Sequence, residues 1–170
     1  MEGLIGVVVL AFLVSSVAGH SLPQLLTGCP NGWIAYEGSC YLFNNKDMMS
    51  FAVAEEFCSQ KGGHVVHIDD EEENNFIKDA AREYPSDSLK LWWIGIQDMV
   101  DGDWRYTSDD SRVTFFDWEP SQPDEGSNAD CGVLWANKDY KWGDHRCVDV
   151  GSYKVYAICE ARYMKSYLLQ

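Results

Sequence analysis

The chain is short of positive charge. Lys and Arg number 13 against 27 Asp and Glu, a formal charge of −14 over 170 residues. Such a surface repels phosphate backbones and anionic lipid, which makes nucleic acid and the membrane surface poor partners. No G-x-S-x-G, H-E-x-x-H, P-loop or G-x-G-x-x-G motif occurs. Nothing therefore marks a nucleophile elbow, a zinc protease or a phosphate cradle. His145 lies beside Asp144 without a placed nucleophile, so the chain reads as a binding protein and not as an enzyme. There is no Cys-x-x-Cys pair to suggest a zinc–thiolate site. His64 and His67 stand three apart in a β-rich run, a spacing that sends them to opposite faces of a strand. No Asn-x-Ser/Thr sequon is present, so N-glycosylation is not expected. No repeat or low-complexity linker divides the sequence, which predicts one domain.

Apolar residues make up 46% and aromatics 14% of the chain, enough to build a core. One long apolar run exists, Leu4 to Val17, shorter than the roughly 20 residues of a membrane span. Small residues follow at Ser16, Ala18 and Gly19, which predicts a signal peptide over residues 1–19 and a secreted, extracellular product without membrane insertion. A short segment, 20–28, then leads into the domain. Six cysteines, Cys29, Cys40, Cys58, Cys131, Cys147 and Cys159, all lie beyond this point. An even number in an exported chain predicts three disulfides, and spacing alone does not choose among the pairings.

Turn formers between aromatic positions over 29–44 predict a hairpin. Ser50 starts a helix that Gly62–Gly63 ends, with Phe51, Ala54, Phe57 and Cys58 on one face. A strand follows at His64–Ile68. The acidic run from Asp69 reads as the capped start of a second helix, with Phe76, Ile77, Ala80 and Ala81 as its buried stripe and a cation patch as the alternative. Leu91–Ile96 is a buried strand. Beyond it lie about 35 residues without period, a length that in a compact domain marks function. Short strands close the chain at Cys131–Trp135, Tyr140–Trp142 and Val155–Glu160. Helices first and strands later make the class α+β.

That aperiodic stretch carries ten carboxylates between Asp98 and Asp130, opposed by Arg105 and Arg112 alone. Like charge at this density is unfavourable unless a cation or water relieves it. Hard oxygen donors in an irregular loop, with no Cys or His nearby, select calcium over zinc. A solvated acidic loop is the alternative.

Trp92-Trp93-Ile94-Gly95-Ile96, Trp118 ahead of Gln122-Pro123-Asp124, Asp130-Cys131, Trp142-Gly143-Asp144 and Ile158-Cys159-Glu160 occur in this order with the six cysteines. Together they resemble the C-type lectin-like domain over residues 29–161, leaving 162–170 as a tail. The overall texture is similar to the secreted molluscan lectins, including perlucin-like proteins. The resemblance implies two helices and small antiparallel sheets with a long ligand-binding loop. It implies disulfides Cys29–Cys40, Cys58–Cys159 and Cys131–Cys147. It also implies a calcium ion held by side chains flanking a cis Gln122–Pro123 bond, with sugar hydroxyls completing the shell.

Carried over residue by residue, Gln122, Asp124 and Asp144 bind both metal and carbohydrate. Glu125 and Asp130 are further metal candidates, and Asp98 and Asp101 mark a second calcium site that Glu125 and Asp130 complete. Gln-Pro-Asp is the family's version for galactose-type sugars. Ala129 stands where the family has Glu, and Gly143 where it has Asn, which weakens the calcium site. The expectation is a calcium-dependent lectin in innate glycan recognition. The alternative is an acidic extracellular matrix or shell-biomineralisation protein on the same fold, meeting a mineral surface or a protein partner instead of sugar.

Overall fold

The computed structural model describes residues 28–85, 87–100, 102–124, 130–148 and 151–162. The expected signal peptide, most of the N-terminal segment and almost all of the C-terminal tail lie outside these residues. Strands β1 (Ile34–Tyr36) and β2 (Ser39–Asn44) form the N-terminal hairpin. Its two-residue turn places Glu37 and Gly38 at φ 43° and 91°, the pair of left-handed positions that a type I′ turn requires. Helix α1 (Phe51–Gln60) follows and buries Phe51, Ala54 and Cys58. Ser50 precedes it with extended backbone, but its side chain makes no capping bond. After β3 (His64–Val65), helix α2 (Glu71–Arg82) opens with Asp70 accepting from the Glu73 amide at 2.8 Å. Glu73 in turn accepts from the Asp69 amide at 2.8 Å, so the acidic run is a reciprocal cap on a helix start.

The remaining strands are β4 (Lys90–Asp98), β5 (Trp104–Tyr106), β6 (Cys131–Trp135), β7 (Lys141–His145) and β8 (Lys154–Arg162). They join one sheet with the order β1-β2-β8-β4-β6-β7, with β3 on β8 and β5 on β4. Its described pairs are antiparallel except β4–β8, which is parallel. Disulfides join Cys29 to Cys40, Cys58 to Cys159 and Cys131 to Cys147. The second ties α1 to β8 across 101 residues of chain.

Successive residues of β4 point to opposite faces, and the two tryptophans divide the core between them. Trp92 packs with Ile77, Ala81 and Trp142 on the α2 side; Trp93 packs with Phe51, Ala54 and Cys58 on the α1 side. Both indoles are fully buried. Each removes on the order of 200 Å² from water, about 5 kcal/mol of gross transfer free energy. Gly95, further along β4, lies against the end of β3, where nothing larger fits: a Cβ there would lie 2.5 Å from the Val65 carbonyl oxygen.

The structure overturns the expected placement of the two histidines. Strand β3 ends at Val65 and the chain bends, so the rings of His64 and His67 meet with centroids 4.2 Å apart. His67 also stacks on Tyr106 at 3.9 Å, and its Nε2 lies 2.8 Å from the Ser108 hydroxyl. Burial, and next the His64 ring, hold the His67 imidazole down at about 4, with Asp109 opposing. The unfolded ring titrates near ~6.5.

Between these values the unfolded chain binds the extra proton. Stability from this group is therefore complete above about pH 6.5 and lost as pH falls toward 4. The expected loss is on the order of 2 kcal/mol, allowing for the ring's partial exposure. Urea midpoints measured across this range should fall in the wild type and flatten in His67→Phe, which keeps an aromatic ring against Tyr106. Parallel profiles would show that His67 does not carry the effect.

Candidate functional site

Residues 107–124, which follow β5, are not a loose acidic loop. Their middle runs beside β7 as an added parallel strand-like edge. The Trp142 amide donates to the Asp117 carbonyl at 2.9 Å, the Glu119 amide donates to the Trp142 carbonyl at 2.8 Å, and Trp118 bridges Trp142. Side chains fasten the same point. Asp117 accepts from Asn74 Nδ2 and Lys78 Nζ, each at 2.9 Å, and from Lys141 Nζ. Asn74 uses its oxygen to accept from the Trp142 indole at 3.0 Å. Burial raises the Asp117 carboxyl, but the bonds from Lys141, Lys78 and Asn74 outweigh it and hold the group below the usual carboxylate range.

Asn74 and Lys78 are both buried, at 2% and 6% exposure, on the stripe 74, 77, 78, 81 of α2. The expected stripe of Phe76, Ile77, Ala80 and Ala81 missed them. Their i, i+4 spacing on the helix face that carries Ile77 was the available signal.

Much of the loop's negative charge is relieved locally. Asp103 pairs with Arg105 and Arg112 at 3.0 and 3.1 Å. Asp109 caps the Ser111 amide, and Glu119 accepts from the Ser121 amide. Asp98 receives the Gly102 amide on both carboxylate oxygens, at 3.0 and 2.8 Å. The Asp98 amide donates to the Asp130 carbonyl, which sets these two residues side by side through backbone alone. Asp101 and Glu125, the other members of the expected second calcium site, lie outside the described residues. Among the described residues no three His, Cys, Asp or Glu groups stand close enough to hold a metal.

Three of the expected site residues do come together. Gln122–Pro123 is a cis bond. Around it Gln122, Asp124 and Asp144 close a ring of hydrogen bonds. The Asp144 amide donates to Gln122 Oε1 at 3.0 Å, Gln122 Nε2 donates to Asp124 Oδ1 at 2.8 Å, and the Asp124 amide donates to Asp144 Oδ1 at 3.1 Å. The backbone donor fixes which end of the carboxamide is oxygen. Asp144 is 4% exposed at the end of β7, paired across from Gly132, while Gln122 is half-buried and Asp124 exposed.

Gly143 leaves the ring room. A Cβ there would stand 3.1 Å from Gln122 Oε1 and 3.0 Å from the Trp135 ring, so the missing side chain is the space the carboxamide fills. His145, the remaining candidate for chemistry, packs against Trp93 and Tyr153 in the core.

Comparison with known proteins points one way. The family profile of the lectin C-type domain matches residues 47–161. A perlucin-like protein of Mytilus galloprovincialis is 33% identical over 137 residues, covering 80% of this chain and 86% of its own. The mouse scavenger receptor C-type lectin carbohydrate-recognition domain superposes with a TM-score of 0.67 at 29% identity, over 81% of this chain and all of that one. A calcium-independent type II antifreeze protein superposes with a TM-score of 0.68 at 28% identity, over 83% of this chain and 99% of that one. The chain spans 32% to 44% of the length of three human proteins it also matches, two C-type lectin domain family members and asialoglycoprotein receptor 2.

Asp117→Ala leaves Lys78 buried without its carboxylate and is expected to cost on the order of 3 kcal/mol in urea unfolding. Adding Lys78→Met should recover part of it; a double variant as unstable as the single would refute the pairing. Gly143→Ala should push the Gln122 carboxamide off the Asp144 amide. Hydrogen exchange at that amide is then expected to speed about fivefold, matching a lost bond of about 1 kcal/mol. Unchanged exchange would mean that Gly143 does not make the room.

Proposed function

The chain belongs to the C-type lectin domain family, and from that premise we propose that it is a secreted, calcium-dependent carbohydrate-binding protein with a preference for galactose-type sugars. The observation that carries the reading is the closed ring of Gln122, Asp124 and Asp144. It gathers two carboxylates and a carboxamide at one end of the sheet, all hard oxygen donors, and that donor set fits calcium in kind. The oxygens of Gln122, Asp124 and Asp144 would hold the ion. Gly143 brings no side-chain donor, and neither does Ala129. Affinity follows ligand number and charge, so binding is expected on the order of 10⁻⁴–10⁻³ M, the range of extracellular modules.

Calcium, when bound, supplies open coordination positions for two vicinal sugar hydroxyls. The protein groups do the rest. The exposed Asp124 carboxylate accepts from a hydroxyl by a charge-assisted bond, and the Gln122 carboxamide offers both a donor and an acceptor. The buried Asp144 holds the other two in register through its amide and its carboxylate. Gln-Pro-Asp, with donor and acceptor in that order, supports the galactose-type assignment through the family resemblance.

The three disulfides support an oxidising compartment, and residues 1–19 supply the export signal in this reading, ahead of a domain over 29–161. Glycan recognition in defence is the role that fits a small exported lectin.

A second reading has its own observation. The ring is satisfied by its own hydrogen bonds, and the chain carries a net charge of −14. Both suit an acidic matrix or biomineral protein of this fold that meets a mineral surface or a basic protein.

A galactose column run in millimolar calcium separates the two. The wild type should be retained and released by chelator, and Asp124→Ala or Asp144→Ala should weaken retention at least tenfold, about 1.4 kcal/mol. Retention indifferent to chelator, or undiminished in both variants, would refute the calcium-dependent site. No retention on any sugar would favour the second reading.

A further inference from the structure

We propose that His64 and His67 form a site for a divalent transition metal, copper(II) or zinc, which is separate from the Gln122 ring and independent of the carbohydrate reading. The bend after β3 brings the two rings into contact, with centroids 4.2 Å apart and planes tilted by 41°. Each ring has one nitrogen anchored. His64 Nδ1 lies 3.0 Å from the Val65 carbonyl oxygen, which can only accept, so this nitrogen carries the proton and Nε2 keeps its lone pair. His67 Nε2 lies 2.8 Å from the Ser108 hydroxyl, which accepts as readily as it donates. With Nε2 donating there, His67 Nδ1 is the free acceptor. Metal-bound histidines commonly take this form, one nitrogen on the ion and the other donating to a fixed oxygen.

The pair is also held in place. The His67 ring stacks on Tyr106, 3.9 Å between centroids and 17° between planes, and the His67 amide donates to the Glu160 carboxylate at 3.2 Å. The Tyr106 hydroxyl donates to the Ile68 carbonyl at 2.7 Å, which fixes the stacking partner. Two imidazoles bound side by side to one ion at about 2.0–2.1 Å have ring centres on the order of 5 Å apart. The 4.2 Å separation is close to that, so an ion asks little rearrangement of side chains that are already immobilised.

The surroundings suit a hydrated dication. His64 borders an open cavity of about 250 Å³, together with Glu55, Ser59, Thr107 and Ser108. A water occupies about 30 Å³, so the cavity has room for several. No group of three His, Cys, Asp or Glu ligands exists among the described residues, so water fills the remaining positions on the ion. The Asp109 carboxyl is held low by the Ser111 hydroxyl and amide, and further by the charge of His67 and His64, which places a negative group near both rings. Imidazole nitrogen selects copper and zinc, whereas calcium takes oxygen, and copper(II) stands above zinc in affinity for such donors. The histidine pair and the Gln122 ring therefore do not compete for one ion.

Zinc chloride titrated into the full chain in millimolar calcium, followed through the imidazole proton resonances, tests the site. Those of His64 and His67 should shift together and saturate at one equivalent, and copper(II) should displace the zinc. His64→Gln and His67→Gln should each weaken zinc binding about tenfold or more. Ser108→Ala should weaken it about tenfold through the loss of the His67 anchor, and Ser108→Thr should restore it. Zinc that moves neither ring, or only one, overturns the site whatever the variants do. Zinc binding unchanged in both histidine variants, or abolished by the calcium, overturns it too. None of these results bears on retention by a galactose column, so the two readings fail separately.

Discussion

The buried contact between Asp117 and Lys78 is the constraint on which the rest of the site depends. Residues 107–124 hold no helix or extended strand, and such a stretch would ordinarily be too entropic to present side chains in fixed positions. Here its midpoint is fastened to α2 by Lys78 and Asn74 and to β7 by Lys141 and two backbone bonds. Taking the Lys78 ammonium out of water is expensive unless its partner is in place, so the contact is formed only when the segment is docked. The Asn74 carboxamide extends the fastening to the Trp142 indole, so helix, strand and loop share one polar knot inside an aromatic core.

From that knot the positions of Gln122 and Asp124 follow within a few residues. The closed ring is the other half of the arrangement, and Gly143 packs closely against it. A side chain at this position would bring a further oxygen toward a cation but would stand in the space the Gln122 carboxamide occupies. The three side chains meet one another through their own hydrogen bonds, which fixes their geometry in advance.

How much of this was legible follows physical lines. The WWIGI strand, the two helices and the hairpin are written in periodicity and turn chemistry, because burial and backbone sterics act locally. The convergence of Gln122, Asp124 and Asp144 came through an ordered set of motifs, since nothing in spacing alone brings residue 144 to residue 122. Lys78 and Asn74 were passed over because a polar residue on an apolar stripe looks like a helix edge until its partner, 39 or 43 positions away, is known. The histidine pair was misplaced for the opposite reason. Alternation holds only while a strand lasts, and β3 lasts two residues. Asp98 and Asp130 have the composition of a metal site, but the Asp98 carboxylate is turned onto the Gly102 amide, where a tight turn needs it.

The frame also decides which part of the site is free to adapt. Asp144 is gripped from both sides, by β6 through its pairing with Gly132 and by the 117–119 segment through Trp142. One rung further, the Cys131–Cys147 disulfide closes the same pair of strands. Asp144 is therefore a fixed anchor, almost wholly buried. Gln122 and Asp124 have only side-chain bonds and a single backbone bond to hold them, and they face solvent. Changes at positions 122 and 124 therefore alter a surface open to solvent, whereas a change at Asp144 acts on whether the ring of hydrogen bonds exists at all.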